Sequence, residues 1–543
     1  MNTPAPTTTT TQVAKSAGSI GIAVFCSRLL GLVREQVMAV LFGAGLSMDA
    51  FVVAFRIPNL LRDLFAEGAL SAAFVTVFAD YDHNRGQEAT WRLANNVLLT
   101  LTILLSLLTL LGMIFSEEII QVMAPAFGRV AGKIALTKLL TNIMFPFLIL
   151  VSLAAVVMGI LNTKGRFFVP AMASAFFNVG SIAGGVSCAW WVAPAFGQPP
   201  IVGMAVGTLI GGLLQLAVQL PSLRRSGFTW RLHLNLKDEG LRRIMILMIP
   251  AVIGLAATEI NIFINTNFAA RCAEGSVSWL NYAFRLMQFP IGIFGVAISI
   301  ATLPVIARQA SRGDMGALKA TYVSSLTMAF LLTIPAAFGL AVLAKPIIRL
   351  IFEHGRFLNS DTIHTAEALA YYAVGLFAYA TVKITVPVFY ALKDTKYPVI
   401  ASFLAVVTNI LIVSLTLDAF QHKAIALSTS ITMIINFFFL SAVLYKKVGG
   451  YDLRYLTGSF IKIIVASAAM GLAALYLYAA GSRLITHATV FNQGLVLIVT
   501  IAVAVVVYFI LIRWLGIKEL HEVIGGLKKR FLVRGVNQSD LYD

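Results

Sequence analysis

Long runs of apolar residues dominate the chain, and short stretches rich in charge, glycine and proline separate them. A helix needs about 20 predominantly apolar residues to cross a bilayer. The pattern therefore predicts an all-α polytopic membrane protein with about fourteen transmembrane helices. The predicted spans lie near residues 16–43, 48–80, 92–115, 134–161, 168–193, 200–222, 243–270, 277–307, 320–344, 365–391, 398–417, 424–445, 460–480 and 492–515. The second contains Pro58 and Gly68 and is expected to be bent or partly interfacial.

The basic residues are distributed unevenly between the two sets of loops. With an even number of spans both termini share one side, and the loops and tails of that side hold 26 Lys and Arg against nine on the other. Loops on the cytoplasmic side of a membrane are enriched in these residues. We therefore predict a multi-pass protein of the bacterial cytoplasmic membrane with both termini in the cytoplasm.

Composition narrows the class of protein. Apolar residues make up 59% of the chain and charged residues 12%, whereas soluble domains average roughly 25% charged. This excludes an ordinary soluble enzyme, a coiled coil and a disordered scaffold. The net charge of +17 would favour nucleic acid in a soluble protein. Here the basic residues lie between apolar runs, where topology and anionic lipid explain them, so no nucleic-acid partner is expected.

No catalytic or metal-binding motif is visible. The three cysteines are dispersed, the seven histidines are scattered, and neither a Walker lysine loop nor H-E-x-x-H occurs. The polar N-terminal stretch carries no signal-peptide pattern. The predicted outer loops are too short to carry the catalytic acids of a lipid-linked transferase. The sequence predicts a transporter rather than an enzyme, with no cofactor or metal and with coupling to membrane potential or an ion gradient.

An internal repeat recurs at an offset of about 228 residues. Ala54-Phe55-Arg56 resembles Ala283-Phe284-Arg285, Ile119-Ile120 resembles Ile347-Ile348, Gly128 resembles Gly355, and Pro170 resembles Pro398. An offset of six helices predicts two parallel six-helix repeats, an arrangement that transporters place around a midplane site. The expected domains are a cytoplasmic polar tail (1–15), an N-lobe (16–225), a C-lobe (226–455), two extra helices (456–515) and a basic cytoplasmic tail (516–543).

Charged side chains fall within the predicted spans. The basic ones are Arg28, Arg34, Arg56, Arg62, Arg285 and Lys383, and the acids are Glu35, Asp49, Asp63, Glu67 and Glu259. Each costs roughly 2.5–3.5 kcal/mol at the centre of a spanning helix. They must therefore face water, one another or an anion.

Helical periodicity gathers these charges on polar arcs. The arcs comprise Ser27, Arg28, Gly31, Arg34 and Glu35 in the first span, Asp49, Arg56, Asn59, Arg62, Asp63 and Glu67 in the second, Thr258, Glu259, Asn265 and Thr266 in the seventh, and Ser278, Asn281, Arg285, Gln288, Gly292, Gly295 and Ser299 in the eighth. Four arcs on repeat-related helices predict one central cationic cavity. Arginine binds oxyanions bidentately, so the cavity suits a diphosphate. For Arg62 and Lys383, pairing with a neighbouring acid or snorkelling to the interface is an equal alternative.

Several motifs resemble a known family. They are Phe25-x-Ser27-Arg28-x-x-Gly31-x-x-Arg34-Glu35, Phe42-Gly43-Ala44-Gly45-x-x-x-Asp49-Ala50-Phe51, Pro58-Asn59-Leu60-x-Arg62-x-Leu64-Phe65-Ala66-Glu67-Gly68-Ala69, and Gly275-Ser276-Val277-Ser278-Trp279 followed by Arg285-Leu286-Met287. Together they resemble the MurJ (MviN) lipid II flippases of the multidrug/oligosaccharidyl-lipid/polysaccharide exporter superfamily. The resemblance extends over essentially the whole chain.

The resemblance implies a function. Lipid II, the undecaprenyl-diphosphate-linked peptidoglycan precursor, would pass from the inner to the outer leaflet by alternating access. The implied roles are diphosphate binding for Arg28, Arg34, Arg62 and Arg285, a lateral portal for Asp49, a cavity wall for Ser278, a polar cavity position for Glu259, and a lipid-tail groove for the two extra helices. Arg56, Glu35 and Asn59 are additional candidates from the polar arcs. Gln288 stands where relatives often carry Glu, so we expect Glu259 to pair with Arg285.

Other functions remain open at this point. A flippase for another polyprenyl-diphosphate-linked polysaccharide unit is the first alternative, and a small-molecule antiporter on the same scaffold is the second. Membrane lipid II is the expected partner, and cell-wall synthesis and division proteins are further candidates. A monomer is expected.

Overall fold

The computed structural model describes residues 10–64, 69–484 and 489–520, and all regular structure in these ranges is helical. Residues 1–9 of the predicted polar tail, Glu67, and the basic tail beyond residue 520 lie outside the described residues. The described part of the chain divides into two compact units. The first unit holds residues 10–64, 69–278 and 354–358, and the second holds residues 279–353, 359–484 and 489–520.

The helices follow the predicted apolar runs. Up to residue 271 they are α1 (Thr10–Phe42), α2 (Leu46–Arg62), α3 (Ala69–Asn84), α4 (Gly86–Ile114), α5 (Ser116–Met123), α6 (Lys133–Met144), α7 (Phe147–Thr163), α8 (Phe168–Ser187), α9 (Ala193–Ala195), α10 (Ile201–Ala217), α11 (Leu220–Arg225) and α12 (Glu239–Arg271). The rest are α13 (Ser276–Pro290), α14 (Val296–Ser311), α15 (Met315–Val342), α16 (Ala344–Phe352), α17 (Asn359–Val374), α18 (Leu376–Ala391), α19 (Lys396–Phe420), α20 (His422–Lys447), α21 (Leu453–Leu484) and α22 (Val490–Trp514).

The all-helical membrane class is confirmed. Among the described residues, ten helices are long and apolar enough to span a bilayer, and twelve are if each of two bent pairs counts as one span. One bent pair is α17 with α18, whose axes differ by 44°. The remaining two predicted spans correspond to α1 and to α2 with α3, so their membrane crossing stays a prediction. Pro58 lies inside α2, whereas Gly68, the other residue on which the predicted bend rests, lies outside the described residues.

The element order repeats in the two halves of the chain. A long helix is followed by a short amphipathic one in both, as α4 leads into α5 and α15 leads into α16. The repeat-related residues Ile120 and Ile348 are fully buried on these short helices. The sequence match at 228 residues thus corresponds to the same local structure. The predicted lobe boundary at 225/226 stays a prediction, and α12, which follows it, packs against α3 in the first unit.

Each unit has its own apolar core. In the first unit, side chains of α3, α4, α7 and α12 pack around the buried rings of Phe74 and Phe78. In the second unit, α15, α18 and α20 share a core with α21 and α22. Within that core, the hydroxyl of Tyr508 on α22 donates to the Leu331 carbonyl on α15, at 2.8 Å. The two extra helices are therefore part of the packed body of the second unit.

Helices α8 and α10 pack backbone against backbone through glycines. A Cβ atom on Gly207 would lie 2.4 Å from the Cα of Gly185 on α8, and one on Gly203 would lie 2.1 Å from the backbone nitrogen of Ala189, in the π-helical turn that follows α8. In a bilayer, helix association depends on close packing because lipid tails are as apolar as leucine. Small residues at these positions are therefore a condition for the α8–α10 contact.

The first prediction concerns this contact. Gly207→Ala should destabilise the protein by about 1–3 kcal/mol, the usual cost of overpacking a close-packed site. Gly339→Ala on α15 is the matched control, because nothing lies within 4 Å of the added Cβ. Thermal unfolding of both purified variants in detergent micelles measures the difference. Equal melting temperatures would contradict the packing argument.

Candidate functional site

A buried carboxylate organises the start of α2 and the start of α13. Asp49, only 1% exposed, accepts hydrogen bonds from the Ser278 hydroxyl at 2.6 Å and from the Ser278 backbone nitrogen at 3.0 Å. Its other oxygen accepts from the backbone nitrogen of Gly275 at 2.9 Å and from Lys133 Nζ at 2.9 Å. All four groups lie in the first unit. The structure thus brings together two predicted site residues, Asp49 and Ser278.

The local sequence explains why Asp49 finds backbone donors. The first amides of a helix have no partner within it and attract negative charge. Ser278 lies in the first turn of α13, and Gly275 just before it has φ +94°, a conformation that favours glycine. The turn between α12 and α13 therefore points two amides at the carboxylate. Asp49 caps α13 from a different helix.

The capping is reciprocal. Glu274, which precedes α13, accepts a hydrogen bond at 3.0 Å from the backbone nitrogen of Leu46, the first residue of α2. Each of these two helices therefore has its N-terminus capped by a carboxylate from the other segment. Leu46 and Glu274 are 228 residues apart and Asp49 and Ser278 are 229 apart. The capping partners thus occupy equivalent positions of the sequence repeat.

Lys133 supplies the positive charge that pairs with Asp49. It is not among the site residues that the sequence predicted. It is 3% exposed, pairs with Asp49 at 2.9 Å, and its Nζ lies 4.2 Å from the ring centroid of Phe127. The sequence placed it in an outer loop because it stands at the boundary of the apolar run that begins at residue 134. A lysine at such a boundary has no sequence signal of burial. A pocket next to the pair is lined by further charges, Arg129, Arg271 and Glu274 among them.

Two of the predicted arginines, Arg34 on α1 and Arg62 on α2, each pair with the acid that follows in sequence. Arg34 donates to Glu35 at 2.9 Å and lies 5.4 Å above the ring of Phe177. Arg62 binds Asp63 through two nitrogens, at 3.1 and 2.7 Å. Asn59 donates to the same carboxylate at 3.2 Å. For Arg62, the alternative of pairing with a neighbouring acid is therefore the observed state.

Arg56 and Arg28 have different surroundings. The Arg56 guanidinium donates to the hydroxyl of Thr266 on α12, whose hydroxyl in turn donates to Ile262 O at 2.7 Å. Two predicted polar arcs, those of α2 and α12, therefore face each other in the first unit. Arg28, half-buried on α1, makes no hydrogen bond or ion pair with any residue that the structure describes.

The two remaining candidates lie in different units. Glu259 on α12 is 8% exposed, and its Oε2 has no hydrogen-bond partner among the described residues. The charged side chains of Arg62 and Asp63 are near enough to interact electrostatically with its carboxyl group. Arg285 belongs to the second unit, where its side chain is exposed although it stands within an apolar spanning helix. The proposed pairing of Glu259 with Arg285 spans the two units and stays a prediction.

Comparison with known proteins gives a consistent result along the chain. The sequence model of the family "Lipid II flippase MurJ" matches residues 38–495. A protein of Vibrio cholerae named "Probable lipid II flippase MurJ" is 36% identical over 471 residues, which cover 85% of this chain and 89% of that protein. A protein of Rhizobium meliloti with the same name is 34% identical over 536 residues, covering 97% and 98% of the two chains.

Similarity to solved structures agrees with these sequence matches. The structure described as "Lipid II flippase MurJ, inward closed conformation" is similar with a TM-score of 0.74 and 27% identity, covering 91% of this chain and 97% of that one. An inward-facing multidrug resistance transporter of the MATE family and MOP superfamily is similar with a TM-score of 0.67 and 16% identity, covering 78% and 94%. The second likeness concerns the fold alone.

The second prediction concerns the buried pair. Asp49→Asn should destabilise the protein by about 3–5 kcal/mol, because it leaves the Lys133 ammonium buried without its counter-charge. Lys133→Met should cost less, since the Asp49 carboxylate keeps the three donors supplied by Gly275 and Ser278. The double variant should regain part of the loss of Asp49→Asn. Thermal unfolding of the four proteins forms the double-mutant cycle.

Lys138→Met is the control for this cycle. Lys138 lies on the same helix as Lys133 and pairs with Glu117 at 2.8 Å, but its side chain is 42% exposed. Breaking an exposed pair should cost at most about 1 kcal/mol. Strictly additive effects of the Asp49 and Lys133 changes would show that the pair is not energetically coupled.

Proposed function

The chain belongs to the MurJ family and is a lipid II flippase, and we propose that arginines on its spanning helices hold the diphosphate of lipid II during alternating access. It is a membrane transporter rather than an enzyme. Its substrate is the lipid-linked peptidoglycan precursor, it is a multi-pass membrane protein of a bacterial family, and we propose that it acts in the cytoplasmic membrane.

The observation that carries the proposal is the set of arginines within apolar helices. Arg28 is half-buried with no ion-pair partner among the described residues, and Arg285 is exposed on a spanning helix. A guanidinium in such a helix is stable only beside water, an acid or an anion. A diphosphate supplies the charge and the oxygen geometry that guanidinium groups bind bidentately. Arg28 and Arg285 are therefore the two arginines that we expect to contact it directly.

Arg34 and Arg62 differ from Arg28 because each is paired with the acid that follows it in sequence. We propose that Glu35 and Asp63 hold these guanidinium groups in place while the cavity is empty. The substrate diphosphate would then share or replace the acid as the partner. Asn59, which donates to Asp63, supports that carboxylate in the empty state.

The reciprocal caps suggest where the path closes. The positive-inside bias assigns Arg129, Lys133 and Arg271, which surround Asp49, to the outer face of the membrane. We propose that the Asp49–Ser278 and Glu274–Leu46 contacts close the outer end of the path. Opening toward the outer leaflet would break them and expose helix N-termini and the Asp49–Lys133 pair to water. Water can satisfy all of these groups, so the open state is attainable.

The two C-terminal helices have a separate proposed role. Helices α21 and α22 pack against α15 through the core of the second unit, while their remaining faces carry exposed apolar side chains such as Leu472 and Phe491. We propose that the long polyprenyl chain of the substrate lies along these helices. A hydrocarbon tail needs only an apolar surface continuous with the lipid phase.

The third prediction tests the arginines. Arg28→Ala, Arg34→Ala and Arg285→Ala should each fail to complement a strain depleted of its own flippase, while the proteins still insert. Each change removes charge-assisted hydrogen bonds worth about 1.5–3 kcal/mol, which lowers affinity for the diphosphate about 10- to 100-fold. The corresponding lysine variants should retain partial activity, because they keep charge but lose bidentate geometry.

Arg243→Ala is the control for this series. Arg243 is exposed and pairs with Asp80 at 2.6 Å, so its loss should leave growth unchanged. Membrane levels of every variant are measured by immunoblot. Normal growth of two of the three alanine variants at normal levels would refute the diphosphate site.

A further inference from the structure

A second cluster of polar side chains lies in the second unit, outside the proposed transport site. His364 and Glu367 stand one turn apart on α17, and His422 is the first residue of α20. Glu367 Oε2 lies 3.8 Å from His364 Nδ1 and 3.9 Å from His422 Nε2. All three donor atoms are within 4.8 Å of one another. We call these three residues the His–Glu cluster.

The donor set has the chemistry of a transition-metal site. Two imidazole nitrogens and one carboxylate oxygen form the ligand set of many zinc sites that keep a position open for water. Nδ1 of His364 is buried and has no hydrogen-bond partner among the described residues. A buried ring nitrogen without a partner is unfavourable, and a metal ion would satisfy it.

The neighbouring side chains hold the rings in place. The indole of Trp279 lies against both imidazoles, with ring centroids 4.3 Å from His364 and 5.2 Å from His422. Its Nε1 donates to Asp361 at 2.9 Å, one turn before His364 on α17. Contact with the indole therefore limits the orientations that the two imidazoles can adopt. Trp279 also provides an optical probe of the cluster.

Two contacts occupy the cluster when no metal is bound. Nε2 of His422 lies 3.1 Å from the carbonyl oxygen of His364, and Lys423 Nζ lies 3.6 Å from the Glu367 carboxylate. A metal ion would require the His422 tautomer with a free lone pair at Nε2, and it would compete with the ammonium for Glu367. Lys423 therefore acts as an internal competitor.

We propose that His364, Glu367 and His422 form a Zn²⁺ site that fastens the start of α17 to the start of α20. The site is independent of the arginines proposed to bind substrate. The H-x-x-E spacing of His364 and Glu367 does not by itself predict a metal site from the sequence. It becomes a three-ligand set only because the fold brings His422 to it from 58 residues away.

The test uses the full-length protein in detergent micelles after treatment with EDTA. Zn²⁺ is titrated by calorimetry, and Co²⁺ is added separately as a spectroscopic substitute that quenches Trp279 emission. We expect one Zn²⁺ per chain and recovery of the emission when Zn²⁺ displaces Co²⁺. Absence of Zn²⁺ binding by the unmodified protein would overturn the proposal whatever the variants do.

The variants locate the site. His364→Asn, Glu367→Gln and His422→Asn should each weaken Zn²⁺ binding by about 100-fold or more, since loss of an outer partner alone costs 10–100-fold. Lys423→Gln should strengthen binding, and His83→Asn, outside the cluster, should leave it unchanged. Melting curves without metal verify that each variant is folded. Zn²⁺ binding that persists in folded variants of all three ligands, or that is weakened equally by Lys423→Gln, would overturn the assignment.

Discussion

The Asp49 carboxylate is the interaction on which the arrangement of the first unit depends. It is a buried charge that accepts two backbone hydrogen bonds, one hydroxyl hydrogen bond and an ion pair, all between 2.6 and 3.0 Å. A carboxylate with this number of donors is stable away from water, whereas the same group with fewer would be costly. The carboxylate therefore ties α2 and α6 to the start of α13 through four donors at once.

The arginines on α1 and α2 also depend on polar partners, because a charge within an apolar helix is costly without one. Arg34 and Arg62 have an acid next to them in sequence, and Arg56 reaches the hydroxyl of Thr266 on another helix. None of these arrangements neutralises charge as completely as the Asp49 site, since the side chains of Arg34 and Arg62 remain 15% and 21% exposed. Guanidinium groups held in place but not fully enclosed are suited to exchange one anionic partner for another. The Asp49 contact, which we propose closes the path, is buried, whereas the arginines that we propose bind the diphosphate remain partly accessible.

The capping residues and the arginines Arg56 and Arg285 occupy equivalent positions of the sequence repeat. The capping partners at the starts of α2 and α13 are 228 or 229 residues apart and so occupy equivalent positions of the repeat. Arg56 on α2 and Arg285 on α13 are likewise equivalent. The two copies have nevertheless diverged, since Arg56 is half-buried against Thr266 and Arg285 is exposed. The likeness to MATE transporters at 16% identity indicates that the scaffold tolerates extensive change in its side chains.

The sequence by itself determined the helical membrane class, the positions of the helices, the repeat and the identity of the charged residues within spans. These follow from local composition and periodicity. A helix needs about 20 apolar residues to cross a bilayer, and a charged side chain within it is costly whatever the tertiary structure. It also selected Asp49 and Ser278, though not as partners. Only the tertiary structure decided that Asp49 caps α13, that Lys133 is buried beside it, and that His422 joins His364 and Glu367. Each of these depends on which helix ends meet, and the partners of a buried charge are set by contacts between residues far apart in the chain, which local pattern does not encode.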